Sequence, residues 1–263
     1  MRVRIGAGTG VEWLMAAMAV ADPDWRAVLT HGETAYAAAL AAGGRTLVRD
    51  ARRVGRHGWV RLLGPLTRTR GAWSVPALHA AVENHPDPEL RDICLTLVET
   101  MPAPTTRAPA LTRVRARLAE VGPEQLLDEV APGLHYGPGV LDDVVLVTSP
   151  QVAPIVVELA DGDRTVIVHP PLGESASLRD LGRALGDSMR IALLQQVRGG
   201  PRTLVELCDV LGTPRTTLLH HLALLRGAGL VDLTVAAGEP NVYRLRPEGF
   251  EQLAQAAAAF PLQ

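Results

Sequence analysis

TLVELCDVLGTPRTTLLHHLALLRGAGLV, residues Thr203 to Val231, is the stretch that decides how this chain is read. Leu204, Leu207 and Leu211 recur at i, i+3 and i+7, and Thr203 with Glu206 makes a Ser/Thr-x-x-Glu capping box, so the stretch opens with a short amphipathic helix. Leu211-Gly212-Thr213-Pro214 interrupts it. A second helix follows, with Thr213 as N-cap and Pro214 in the first turn, where a missing N–H costs nothing. Its inward stripe is Leu218, Leu222 and Leu225. Thr216, His220 and Ala223 fall on the opposite face, flanked by Arg215, Leu219 and Arg226, and Gly227 and Gly229 stop the helix. Two helices joined in this way form a helix-turn-helix whose second member is read from outside.

The flanks extend the motif. Leu178, Leu181 and Leu185 make an apolar stripe, and Asp187 caps a helix over Ser188–Val197. Beyond the motif, Leu230–Val235 and Val242–Leu245 read as strands joined across Gly238-Glu239-Pro240, a wing. A last helix from Pro247 carries Phe250, Leu253, Ala257 and Phe260 on one side. Apolar stripes on both terminal helices of so small a module suit a dimer interface, although packing against the preceding region would bury them equally well.

At 263 residues the chain has room for two domains, and 47% hydrophobic with 21% charged residues describes an ordinary soluble protein. The longest apolar run, Trp13 to Ala21, is too short to span a bilayer, and no signal segment opens the chain, so a cytoplasmic protein without membrane contact is expected. Cys94 and Cys208 make neither a disulfide framework nor a metal cluster. The net charge of −2 does not favour nucleic acid, but whole-chain charge is a poor guide to one surface. All 26 basic residues are Arg, the side chain suited to bidentate contacts with phosphate or guanine.

Before the motif the chain reads as a strand at Arg2–Ile5, a glycine-rich Gly6-Ala7-Gly8-Thr9-Gly10, and an apolar helix over Val11–Ala21 for which Thr9 and Glu12 offer a capping box. Trp25–Thr30 reads as a second strand. Short helices follow over Glu33–Ala42, Thr46–Val54, Val75–Glu83, Pro88–Thr100, Leu111–Glu120 and Pro123–Val130, with Ser74 and Asp87 as starts. A proline-rich connector spans 101–109. Val144–Thr148, Ile155–Leu159 and Thr165–Val168 read as an antiparallel meander with a tight hairpin at Asp161-Gly162-Asp163, and His169-Pro170-Pro171 starts a linker. Arg45, Arg49, Arg52, Arg53, Arg56, Arg61, Arg68 and Arg70 make a basic segment, more simply a solvated helix face than a second nucleic-acid surface. Trp13, Trp25, Tyr36, Trp59 and Trp73 lie before residue 75. They would suit a cavity for a flat apolar ligand, and filling a core accounts for them equally well.

With Ala184-Leu185-Gly186-Asp187-Ser188-Met189-Arg190, Glu206-Leu207, Leu211-Gly212 and His220 through Val231 in view, the last 85 or so positions resemble the winged helix of the ArsR family of bacterial transcriptional regulators. MarR-type winged helices share much of this architecture. The resemblance implies a homodimer whose second helices enter successive major grooves of a palindromic site on double-stranded DNA. The Arg4-Ile5 start, the apolar first helix and the strand pair with Ser149-Pro150 are similar to an N-terminal domain of undefined role fused to such winged helices in GC-rich bacteria. The metal-sensing members carry Cys-x-Cys before the turn. Here Asp209 and Val210 follow Cys208, and adjacent His220 and His221 point about 100° apart on a helix, so metal sensing is not expected.

The expected fold is α+β and mostly helical: residues 1–170 a helical effector-sensing or oligomerisation domain with a small antiparallel sheet, 171–177 a linker, and 178–263 a winged helix-turn-helix. The expected function is a non-enzymatic dimeric repressor that uses no cofactor. Arg215, Thr216, Thr217 and His220 face base edges or nearby phosphates, and Arg190, Arg202, Arg226 and Arg244 position the DNA backbone. A small organic effector binds among the N-terminal aromatic residues. Two rivals stand beside it: an S-adenosylmethionine-dependent methyltransferase using Gly6–Gly10, and an N-terminal region that serves only dimerisation or protein interaction.

Overall fold

The computed structural model describes residues 1–69, 73–101, 111–153, 155–162, 164–173 and 178–259, and of residues 56, 57, 60, 161, 178–180 and 256 the backbone only. Arg70, Asp163, Phe260, the connector over 102–110 and linker residues 174–177 lie outside the described residues.

Helix α1 (Thr9–Ala21) is buried from Gly10 to Ala21, as a helix apolar all round must be. Around it pack α2 (Pro23–Val28), α3 (Gly32–Arg68) and α4 (Val75–Glu83), and α5 (Pro88–Thr100) packs on α3 and α4. The long α3 breaks at Gly44 and Gly55, whose φ of 62° and 65° suit glycine, so the helices expected over Glu33–Ala42 and Thr46–Val54 are its first two segments. Ser74 and Asp87 cap α4 and α5 with their side chains. The strand expected at Trp25–Thr30 is instead α2. Asp22 accepts the Asp24 N–H at 2.8 Å and Pro23 fills the first turn, a start signal that outweighs the β-favouring residues after it. The capping box expected of Thr9 and Glu12 does not form either. Gly8 is the cap residue, Thr9 Oγ1 accepts from Val75 N–H at 3.3 Å, and Glu12 turns into the core.

The first sheet runs β1 (Arg2–Gly6), β3 (Asp143–Thr148), β5 (Arg164–His169), β4 (Val157–Asp161) in space. It is mixed, which corrects the antiparallel meander. β1 and β5 both pair parallel to β3, and only the β4–β5 hairpin is antiparallel. The short turn Pro150–Val152 carries the chain out of β3, so the next strand forms on the far side of β5. Both faces of this sheet are covered. Val145, Val147, Val166 and Val168 face the α1 core, while Val144, Leu146 and Ile167 face a second core. Two-sided burial is why Val144–Val147 is an uninterrupted apolar run rather than an alternating one.

The second core joins α6 (Thr112–Val130) to the C-terminal module: α7 (Leu178–Leu185), α8 (Ser188–Arg198), α9 (Leu204–Leu211), α10 (Arg215–Gly227) and α11 (Pro247–Ala258). Leu126, Leu127 and Val130 meet Leu193, Leu207, Leu218 and Leu222 there. The wing strands β7 (Val231–Val235) and β8 (Val242–Leu245) belong to a sheet ordered β2-β7-β8-β6, with β6 at Arg202–Thr203. Its outer strand β2 (Leu134–Tyr136) comes from upstream and pairs parallel to β7. The winged helix therefore shares both its core and its sheet with residues 112–136.

Thr203 and Glu206 form the expected capping box in full: each side chain accepts the other residue's backbone N–H, at 3.3 and 2.7 Å. Thr203→Ala is expected to cost about 1 kcal/mol, read as a lower urea midpoint with unchanged slope. Thr213 does not cap α10. Its hydroxyl donates to the Leu211 carbonyl at 3.0 Å, and Pro214 occupies the cap position.

Candidate nucleic-acid interface

α9 and α10 meet across Gly212, whose φ of 58° lets α9 end and the chain turn. Leu218, Leu222 and Leu225 point inward as the spacing requires. At the start of α10, Arg215 and Thr216 are exposed and Thr217 is half-buried. Arg244 on β8 is exposed and Arg202 on β6 half-buried.

Arg190 and Arg226 do not belong to this surface. Arg190 is 8% exposed: Nε donates to the Ala184 carbonyl at 2.7 Å, Nη2 to the Arg183 carbonyl at 2.6 Å, and Nη1 lies 3.3 Å from His221 Nδ1. It clamps the end of α7 to α8. Arg226, 9% exposed, donates from Nη2 to the Val156 carbonyl at 2.8 Å, tying α10 to the segment that enters β4. Both guanidinium groups satisfy backbone acceptors, so neither is available to a phosphate in this arrangement.

Beyond its exposed first turn, the outward face of α10 stands half-buried opposite α2 and β4. Thr216, Leu219, His220 and Ala223 form one wall of a cleft of about 510 Å³, and α2 with β4 forms the other. Leu224 goes further and packs into the α1 core, 6% exposed. Burial lowers the pKa of His220, an effect the Asp24 carboxylate of α2 opposes. Leu219 was expected on the flank of this face without a partner, and Leu224, which no sequence pattern singled out, is buried beside it. Apolar residues outside the inward stripe signal a second partner for this helix, because one stripe suffices for a helix that packs on a single core.

The expected aromatic cluster is not one cluster. Trp13 and Trp59 are fully buried and packed edge to face at 5.6 Å, with Trp59 Nε1 donating to the Ala51 carbonyl at 3.2 Å. The Arg26 guanidinium stacks on Tyr36 at 3.5 Å. Trp73 lies over the glycine-rich loop, and Trp25 alone of the five lines the α2–α10 cleft.

Gly6, Gly8 and Gly10 are small because the chain itself lies against them. A Cβ on Gly8 would sit 2.0 Å from the Trp73 carbonyl oxygen, and one on Gly6 2.3 Å from the Trp73 ring. Gly10 N–H donates to that same carbonyl at 2.9 Å. An anion-cradling loop keeps its N–H groups for phosphate or carboxylate; here a backbone acceptor occupies the place. Behind the loop, Glu12 is fully buried. Its Oε2 accepts from Ser149 Oγ at 3.0 Å, its carbonyl accepts from Gln151 Nε2 at 2.6 Å, and burial raises its pKa to about 7.

Two comparisons fall on the helix-turn-helix. A family described as a helix-turn-helix domain matches residues 185–234. The chain is 36% identical over 76 residues, 29% of its length, to the HTH-type transcriptional repressor SmtB of Mycobacterium tuberculosis, in strains CDC 1551 and H37Rv alike. The matched segment spans 56%, about half, of that repressor's length. The C-terminal region thus holds a helix-turn-helix domain, and the similarity to a transcriptional repressor lies in that region. The family match does not extend over 22–28 or 155–158, which close the cleft.

Proposed function

We propose that this protein is a DNA-binding transcriptional regulator of ArsR-like type that reads DNA with α10. The observation that carries the reading is the exposed N-terminal turn of α10, with Arg215 and Thr216 presented ahead of a packed helix-turn-helix and Arg244 exposed on the wing strand β8. Arg215, Thr216, Thr217 and His220 take the base edges and nearby phosphates, Arg202 and Arg244 the backbone, Arg190 holds α7 to α8, and Arg226 holds the covered arrangement. Two copies bind a palindromic operator and repress, in keeping with the named role of SmtB. Residues 1–170 serve as the sensing part: α2 and β4 cover the reading face, DNA binding requires them to move aside, and an effector acts by biasing the two arrangements.

The test is recovery of bound fragments from genomic DNA by the full chain, followed by titration of the enriched site at fixed salt. Arg215→Ala is expected to lower affinity for that site about tenfold relative to unrelated DNA, within the range for losing a bidentate guanine contact. Equal loss on all sequences would make Arg215 a phosphate contact. The absence of any enriched site would overturn the reading.

A further inference from the structure

We propose that the cleft between α2, β4 and α10 is a binding site for an organic cation with an apolar aromatic body, and that its occupant excludes DNA. The inference rests on the reading of α10 as the DNA-contacting helix, because the ligand and the DNA would use the same face.

Size comes first. A cavity of about 510 Å³ falls within the range of small-molecule sites, which runs from about 300 to 1,000 Å³. It lies between parts of the chain far apart in sequence, 22–28, 155–158 and 216–243, so filling it changes how they sit together. Its lining is two-sided. Trp25, Val28, Ile155 and Leu219 supply an apolar and aromatic surface against which a hydrophobic body loses water. Asp22, Asp24 and Glu158 supply carboxylates.

The opposing charge in the cleft is small. Arg226 lines it, but the guanidinium is held at the Val156 carbonyl. His220 faces the same space, and burial favours its neutral form. Asp22 spends part of its charge on capping α2, whereas Asp24 and Glu158 stand exposed at the edge. Three carboxylates against one committed guanidinium favour a positive ligand and disfavour an anion. Trp25 in the lining adds to this preference, since an indole ring attracts a cation over its face. A ligand seated between α2 and Leu219 holds the covered arrangement and keeps Thr216 and His220 from DNA, so its binding and DNA binding oppose each other.

The experiment is isothermal titration of the full chain, without DNA, with tetraphenylphosphonium and with its anionic isostere tetraphenylborate. Equal size and shape with opposite charge separates electrostatic selection from hydrophobic adhesion. The expected result is saturable binding of one phosphonium per chain, with borate weaker by at least about tenfold. The Asp24→Asn/Glu158→Gln double variant should bind phosphonium about tenfold more weakly while its melting temperature holds, both side chains being exposed. Trp25→Phe should change the fluorescence response, tying the signal to this cleft. Phosphonium should then release the enriched DNA site from the full chain. Equal binding of the two ions, no saturable binding, or indifference to the double variant would each overturn the cation site. Charge-selective binding that leaves DNA in place would uphold the site and overturn the shared face. Failure to enrich any DNA is read separately and bears on the α10 reading alone.

Discussion

Leu224→Ala is expected to tighten DNA binding. The leucine lies on the outer side of α10, yet its side chain is buried in the core around α1. If α10 must leave that core to enter a major groove, Leu224 makes this contact only in the covered arrangement. Truncating a core leucine costs about 2–5 kcal/mol, and at the low end of that range the equilibrium moves about 30-fold toward the uncovered form. Apparent affinity for DNA is the intrinsic affinity scaled by the competent fraction, so anisotropy titration of the enriched site should show a gain approaching that factor. Leu222→Ala is the contrast. Two positions earlier, Leu222 lies on the inward stripe within the winged-helix core, and its loss should lower stability with no gain in affinity. Unchanged or weaker binding by Leu224→Ala would mean that the contact is not released when DNA binds.

Glu12→Gln is expected to stabilise the protein by about 3 kcal/mol above pH 8, the free-energy equivalent of a pKa raised from 4.5 to about 7. Desolvation is the main cause, so the folded protein prefers the protonated acid and ionising it costs stability. The sign follows from linkage. A raised folded-state pKa means a contribution fully present below pH 4.5 and lost as pH climbs through 7. His169 pulls the other way. Burial depresses its pKa from 6.5 to about 4, with Nδ1–H donating to the Pro170 carbonyl at 2.7 Å and Nε2 accepting from Thr148 Oγ1 at 3.2 Å. Its contribution is present above pH 6.5 and lost as pH falls toward 4. The two slopes oppose each other over nearly the same window, so these two groups leave stability nearly flat between pH 4 and 7. Removing Glu12 should uncover the histidine slope, a loss of stability on acidification measurable by urea unfolding at a series of pH values. Glutamine can still accept from Ser149, so the substitution isolates the charge. A Glu12→Gln profile parallel to that of the parent would show that the carboxyl is already ionised at neutral pH.

The helix-turn-helix was legible because its determinants are local. Period, capping box and glycine stop all lie within about thirty residues, and the structure places Leu218, Leu222 and Leu225 as their spacing requires. The first sheet was only half legible. Val144–Thr148 and Thr165–Val168 read as strands from composition, but pairing order is a tertiary property. The parallel union of β1 with β3 spans about 140 residues that no local pattern encodes. Glu12 shows the same limit in one residue. Its position after Thr9 suggests a cap, and only the distant Ser149 and Gln151 make the interior a tolerable place for it. Arg190 and Arg226 stood at positions natural for phosphate contacts, and burial against carbonyls from other segments decided otherwise. The sequence also left Trp25 undistinguished from Trp13 and Trp59. What separates them is which helix faces solvent, set by α2 packing beside α10.

On the proposed reading, α2 and β4 stand over the outward face of α10 and leave it when DNA binds. Amide hydrogen exchange of the full chain, with and without the enriched DNA fragment, tests this most directly. Faster exchange over 22–29 and 155–159 in the bound state is expected, together with slower exchange over 215–224. Slower exchange over 215–224 with 22–29 and 155–159 as protected as before would contradict it.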